Sequence, residues 1–138
     1  MMERTAARLI PVDDDLDTGG FFAAAQRGEL VVRACVACGA FLHLPRAYCR
    51  TCGSWEGHWV PVSGRGHLYS WTVAEHQVHP AYPVPYTIVL VELDDAPGVR
   101  LIGSLPGSPQ LIEGMPMQVR FDTIHDGAVI PQWEPAAP

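Results

Sequence analysis

The spacing of apolar and polar positions changes twice along the chain, and the changes mark three stretches. Residues 1–34 open polar and acidic. Asp13-Asp14-Asp15 and Asp17 read there as a solvated tail, because adjacent carboxylates point different ways. The stretch then turns apolar: Phe21-Phe22 and Ala23-Ala24-Ala25-Gln26-Arg27 favour a helix, Asp17-Thr18 supplies its N-cap and Gly28 its stop. Glu29-Leu30-Val31-Val32-Arg33 follows as a short lead-in strand. Residues 35–60 hold all four cysteines and little that could form a core. Residues 61–138 become strand-like, with turn signals about every ten residues.

Five strands are predicted in that last stretch: Gly66 to Glu75, Thr87 to Leu93, Val99 to Ser104, Met117 to Asp122 and Val129 to Trp133. Alternation places Leu68, Ser70 and Thr72 on one face of the first strand and Tyr69, Trp71 and Val73 on the other. Ile88-Val89-Leu90-Val91 is a continuous apolar run, as expected of a strand buried on both sides. Asp94-Asp95-Ala96-Pro97-Gly98 and Asp126-Gly127 are turns by composition, and Gly64 and Gly66 flank a sharp bend. Five short antiparallel strands in this length fit a partly open barrel of the oligonucleotide/oligosaccharide-binding (OB) type, with another small β-barrel or sandwich as the alternative.

The cysteines carry the strongest chemical signal. Cys35-Val-Ala-Cys38-Gly39 and Cys49-Arg-Thr-Cys52-Gly53 are two C-x-x-C-G knuckles separated by ten residues. Four thiolates at this spacing close a tetrahedral site for one structural zinc ion. Rubredoxin-type iron uses the same ligands, so the residues leave both metals open, with redox knuckles as a further alternative. A catalytic zinc needs an open position, which four cysteines do not leave. With all four committed, no thiol remains as a nucleophile.

Composition narrows the chemistry further. The 138 residues carry a net charge of −6, all nine basic residues are arginine, and lysine and asparagine are absent. Without lysine there is no Schiff base, no pyridoxal-phosphate anchor and no P-loop. No G-x-S-x-G elbow or Gly-rich phosphate loop is present, and Gly103-Ser104-Leu105-Pro106-Gly107 has neither spacing. No apolar run has the length of a membrane span and the first residues lack a secretory core, so a cytoplasmic protein is expected. Residues 61–138 hold three arginines (Arg65, Arg100, Arg120) against eight acidic residues, a net of −5. A single-strand nucleic-acid binder of this fold needs a basic groove beside its aromatic residues, which argues against that function. Arg27, Arg33, Arg46 and Arg50 face one acid, Glu29, a cluster that suits one small phosphorylated ligand better than a polymer. His76 and His79, with Tyr82 and Tyr86, belong to a stiff proline-rich loop suited to protein contact. His43 is a redundant substitute ligand beside four cysteines, and His58, His67 and His125 have no constellation around them.

In order and spacing these segments resemble the zinc-ribbon/OB-fold acyl-CoA-associated proteins, formerly a family of unknown function. The segments are Phe21-Phe22-Ala23-Ala24-Ala25 with Gly28-Glu29-Leu30, the two knuckles with Leu44-Pro45-Arg46-Ala47-Tyr48 before the second, Gly64-Arg65-Gly66 with Leu68 to Val73, Pro85-Tyr86 with Val91-Glu92-Leu93, and Gly114 to Val119. The second knuckle departs from many relatives, which have proline after the first cysteine. The resemblance implies a mainly β chain: an N-terminal helical segment, a rubredoxin-like zinc ribbon and a C-terminal five-stranded OB barrel. It also implies a non-catalytic subunit of a thiolase-fold acyl-CoA enzyme, either a thiolase or an aldolase such as the retro-aldol lyases of steroid side-chain degradation. The resemblance implies a MaoC-type hydratase as a further partner. The candidate residues are Cys35, Cys38, Cys49 and Cys52 for metal, and Arg46 and Arg65 for CoA phosphates. Trp71, His76, His79, Tyr82 and Tyr86 are the candidates for a partner interface. A free-standing acyl-CoA or nucleotide binder is the alternative.

Overall fold

The structure, a computed structural model, describes residues 7–137. The start of the acidic tail (residues 1–6) and residue 138 lie outside the described residues. The order of elements is α1 (Gly19–Gln26), β1 (Val31–Cys35), β2 (Gly57–Pro61), β3 (Arg65–Ala74), β4 (Tyr86–Leu93), β5 (Arg100–Pro106), β6 (Pro116–Thr123) and β7 (Val129–Pro135).

Helix α1 ends as its sequence predicts. Gly28 takes φ 73°, its N–H donates to the Ala25 carbonyl, and the Glu29 N–H donates to the Ala24 carbonyl. These two bonds form the Schellman pattern. The start differs from expectation. Thr18 occupies the cap position, but its side chain makes no cap bond. Asp15 organises the turn instead, accepting the Thr18 hydroxyl at 2.6 Å and the Thr18 N–H at 3.1 Å. Asp17 reaches across to the ribbon, where it accepts the Ala47 N–H at 2.8 Å. Part of the acidic run therefore ties segments together rather than dissolving in water. The helix lies against the Trp59 ring at Gly20, where any Cβ would collide with the indole.

Strands β1 and β2 form a two-stranded antiparallel sheet with Val31 opposite Pro61 and Cys35 opposite Gly57. Strand β2 is absent from the predicted set, because His58-Trp59-Val60 is too short to show a period. Leu30 and Val32, on one side of this hairpin, enter the core of the barrel, while Cys35 belongs to a separate small cluster with Leu42 and Cys49. The lead-in strand thus bolts ribbon to barrel.

The other five strands form one antiparallel sheet in the order β5-β4-β3-β6-β7. The sheet curls so that its outer strands meet. The Ser104 N–H on β5 donates to Gln132 Oε1 on β7 at 2.7 Å, and Gly103 lies against Trp133. The result is the predicted five-stranded partly open OB barrel, and each predicted strand is present with ends shifted by at most two residues. Leu68, Val89, Val91, Leu93, Met117 and Trp133 fill its centre. Among the described residues the one buried hydroxyl, Thr87, donates to the Gly107 carbonyl at 2.8 Å.

Two sequence expectations are corrected. Strand β4 is not buried on both sides: Thr87, Val89, Val91 and Leu93 are buried, while Ile88 and Leu90 are half-covered, Leu90 bordering an open cleft rather than a packed layer. In β3 a bulge between Leu68 and Ser70 breaks the simple alternation. Leu68 lies opposite Val91, Trp71 opposite Val89 and Val73 opposite Thr87, so all three share the inner face.

Candidate functional site

The two knuckles fold identically. In each, the first cysteine's N–H donates to the carbonyl five residues on: Cys35 to Ala40 at 2.9 Å and Cys49 to Ser54 at 2.8 Å. In each, the glycine four residues on donates back to that cysteine's carbonyl, at 2.9 Å in both. Gly39 and Gly53 hold φ of 76° and 79°, which side-chain-bearing residues rarely adopt, so both glycines are required for the turn. The knuckles face each other. Cys35 and Cys52 sulfurs stand 3.6 Å apart, as do Cys38 and Cys49, and all four sulfurs lie within 4.8 Å of one another.

The donor set fits one zinc-sized ion. A tetrahedron with Zn–S near 2.3 Å has edges of about 3.8 Å, close to the separations observed. Electrostatics point the same way. Backbone amides of the knuckles stabilise the thiolate of the first cysteine in each. The Cys38 amide lowers Cys35, and the Cys52 and Thr51 amides lower Cys49 to about 6. The second cysteines rise. Cys38 reaches about 11, where the Ala40 amide is outweighed by burial and by the neighbouring sulfurs of Cys49 and Cys35. Cys52 rises despite the Ser54 amide, chiefly through the Cys35 sulfur and burial. Four thiols cannot all ionise in this space unless a cation balances them. His43 is not a member of the cluster.

The arginines separate. Arg46 lies on the ribbon loop and lines a hollow of 270 Å³ together with Arg50, Thr51 and Phe41. On its other side Arg46 borders a second hollow holding Tyr48 and Trp55, whose rings stand 5.5 Å apart. Among the described residues neither Arg46 nor Arg50 has a salt-bridge partner, unlike Arg27, Arg100 and Arg120. Arg65 stands at the start of β3, exposed, and lines neither hollow. Arg50, on the exposed middle of the second knuckle, is the companion that sequence reading did not single out as a ligand contact. Its proximity to Arg46 depends on how the knuckle turns.

The residues considered for partner contact also divide. Trp71 borders a small hollow with Tyr69, Ser70 and Glu113. Tyr82 and Tyr86 line a different cleft of 350 Å³ with Arg120 and Asp122. Tyr82 there accepts the Leu9 N–H at 3.0 Å and packs with His79 at 5.4 Å between rings. His76 is exposed. Sequence reading missed two further features. An apolar cleft of 490 Å³ lies between α1, the ribbon loop and the barrel, with Phe22, Leu44, Ile102 and Trp133 among its walls. On the outer sheet face, His67 lies 3.5 Å from both Glu92 and Asp94, and Arg100 bonds Glu92 at 3.1 Å while covering the Tyr69 ring. No period announces either feature, since each joins residues from separate elements. Among the described residues no helix is long and apolar enough to cross a membrane.

Comparison with known proteins bears on the whole arrangement. The rubredoxin-like zinc ribbon domain of ChsH2 matches residues 22–56, and the C-terminal OB-fold domain of ChsH2 matches residues 59–122. A probable enoyl-CoA hydratase alpha subunit from Thermomonospora curvata is 38% identical over 124 residues, covering 88% of this chain. A 3-oxo-4,17-pregnadiene-20-carboxyl-CoA hydratase alpha subunit from Mycobacterium tuberculosis is 31% identical over 126 residues, covering 86% of it. The chain spans 38% of the length of each of these curated relatives. Among solved structures, a chain of the Ltp2-ChsH2(DUF35) aldolase superposes with a TM-score of 0.82 at 32% identity, covering 92% of this chain and all of that one. A DUF35 protein of unknown function from Sulfolobus solfataricus shares the fold at 16% identity, with a TM-score of 0.55 over 73% of this chain and 75% of that one. Knuckles, barrel and full-length superposition agree, and the chain belongs to the ChsH2 (DUF35) family of zinc-ribbon/OB-fold proteins.

Proposed function

We propose that this chain is a non-catalytic accessory module of a cytoplasmic acyl-CoA enzyme, with a thiolase-fold aldolase or thiolase as its partner and a MaoC-type hydratase as a second setting. One observation carries the reading: the superposition on a chain named as part of an aldolase extends over that chain's entire length. The chemistry of this chain is consistent with it. Carbon–carbon cleavage or thiolysis needs a base and, for thiolysis, a reactive thiol. Here the cysteines face a common metal position, lysine is absent, and the histidines do not converge. In this reading the chain stabilises the partner and borders its CoA channel. The name of the aldolase supports retro-aldol cleavage as the partner's reaction, and the pregnadiene-carboxyl-CoA hydratase subunit among the relatives supports a steroid setting for it.

We assign phosphate contact to Arg46, with Arg50 beside it in the same hollow, and Arg65 remains a candidate at the barrel entrance. The arginine pair also favours a second reading, a free-standing binder of CoA esters or nucleotides. Co-expression with a thiolase-fold aldolase or thiolase subunit, the proposed partner, separates the two. An accessory module yields a stable hetero-oligomer whose activity neither chain has alone, and binds free CoA weakly. A monodisperse monomer that ignores that subunit and binds CoA tightly in calorimetry supports the second reading. Under either one, the Arg46→Ala/Arg50→Ala double variant weakens CoA-ester affinity by about tenfold or more, as expected for two charge-assisted contacts. Unchanged affinity removes the assignment.

A further inference from the structure

Strand β3 is longer than its cover. Strand β4 pairs with it from Gly66 to Ala74, but β6 pairs only with Arg65 to His67. Two loop bonds then close that side: the Leu68 N–H donates to the Met115 carbonyl at 2.9 Å, and the Gly114 N–H donates to the Leu68 carbonyl at 2.8 Å. From Tyr69 to Ala74, no hydrogen bond from any other segment reaches the second edge among the described residues. Of the devices that guard an exposed edge, this stretch has a bulge at its start but neither a charged side chain nor a proline. Tyr-Ser-Trp-Thr-Val-Ala contains no charge and no proline, and Tyr69, Trp71 and Val73 are 45%, 38% and 37% exposed. The bulge in the β3–β4 ladder falls just after Leu68, where pairing with β6 has already ended.

We infer that the Tyr69–Ala74 edge is a β-addition site, taking an extended segment of the partner subunit as a further strand. The unpaired backbone specifies an extended chain, since only a strand offers donors and acceptors at matching intervals. A side-chain pocket lies beside the same edge: Tyr69, Ser70, Trp71 and Glu113 line a hollow of 290 Å³. The Trp71 ring and the Glu113 carboxylate suit an arginine or lysine side chain, through ring-face and ion-pair contact together, beside the Tyr69 ring that Arg100 already covers. The occupant is therefore a strand carrying a basic residue opposite Glu113. This inference rests on the accessory-module reading above and names its docking edge, which includes Trp71 and leaves His76, His79, Tyr82 and Tyr86 outside it.

Hydrogen exchange of the full chain, alone and with the thiolase-fold subunit proposed above as its partner, tests it. The amides of the 69–74 edge slow by at least about tenfold in the complex. Trp71→Lys, which places a charge on the edge, abolishes the complex while metal content and circular dichroism stay native. Glu113→Lys, at an exposed position that cannot disturb the core, weakens the complex most at low salt. If the complex forms and these amides exchange as they do in the isolated chain, the docking edge is wrong and the accessory reading survives. If no complex forms, both fall. Protection that appears in the isolated chain as its concentration rises identifies a second copy as the occupant and overturns the assignment to a partner.

Discussion

Around the four cysteines the buried residues are Cys35, Cys49 and Leu42, with Ala40 packed beside them, whereas the barrel gathers twelve buried apolar residues in one cluster. Three buried side chains cannot offset the backbone entropy of ordering the ribbon. Metal–thiolate bonding can, since a structural zinc site contributes about 10–16 kcal/mol of apparent binding free energy in isolated modules. The barrel needs no such help. One chain thus reaches order by coordination in one half and by apolar burial in the other. Leu30 and Val32 are the bolts between them, because the ribbon's own strand inserts into the barrel core.

The sharpest way to break this comparison is to remove one ligand. Cys49→Ser deletes a buried sulfur whose thiolate the Cys52 and Thr51 amides stabilise. It should reduce bound metal, measured by elemental analysis, to a small fraction of one equivalent. The ribbon amides from residue 36 to 56 should then exchange freely while those of β4 and β5 stay protected. Chelation of the wild-type chain should give the same pattern. If β4 loses protection as well, Leu30 and Val32 couple the halves into one cooperative unit and the contrast between them fails.

The complementary experiment attacks the barrel. Trp133 is 1% exposed and supports the seam where β7 meets β5 at Gly103. Trp133→Ala should cost about 3–5 kcal/mol, read as a lowered urea midpoint. Metal stoichiometry should remain at one, because no cysteine touches the seam. Loss of metal in this variant would show that the knuckles depend on the barrel for their geometry.

How far the molecule was legible follows from what each feature requires. The knuckles were legible because their ligands and glycines lie within five residues of each other, and a local turn fixes them. The five barrel strands were legible because each runs long enough to show a period. Trp71 was put on the face opposite Leu68 because a bulge inserts one residue without leaving a mark in the pattern. Strand β2 escaped because Trp59 and Val60 acquire their role only when β1 lies beside them. Charge alone grouped Arg27, Arg33, Arg46 and Arg50, but which two share a hollow, like the free edge of β3, escaped for the same reason, since each is a relation between elements. Thr18 was legible as the cap of α1, but not the acid that supports it: Asp15 and Asp17 look alike in sequence, and only the chain's path decides which carboxylate meets Thr18 and which meets Ala47.

The smallest effect concerns the seam between the two halves. His43 projects from the ribbon loop into the apolar cleft shared with α1 and the barrel, and burial holds its pKa below the usual 6.5 against the opposing pull of a hydrogen bond with the Arg100 backbone. The unfolded chain takes up a proton near pH 6.5, while the folded chain resists until lower pH. Between those values the unfolded state binds more protons, so stability falls as the solution is acidified below about 6.5 and is unaffected well above it. Protonation of the thiolates also destabilises the ribbon in acid, so the total slope alone does not identify His43. The difference does. His43→Gln should flatten the pH dependence of the urea midpoint between roughly pH 6.5 and 5 relative to wild type. Its effect above pH 7 should be small, and its metal content native. An identical slope in the two proteins would mean that the ribbon–barrel seam admits water to the imidazole, and that coordination alone sets the acid limit of the ribbon.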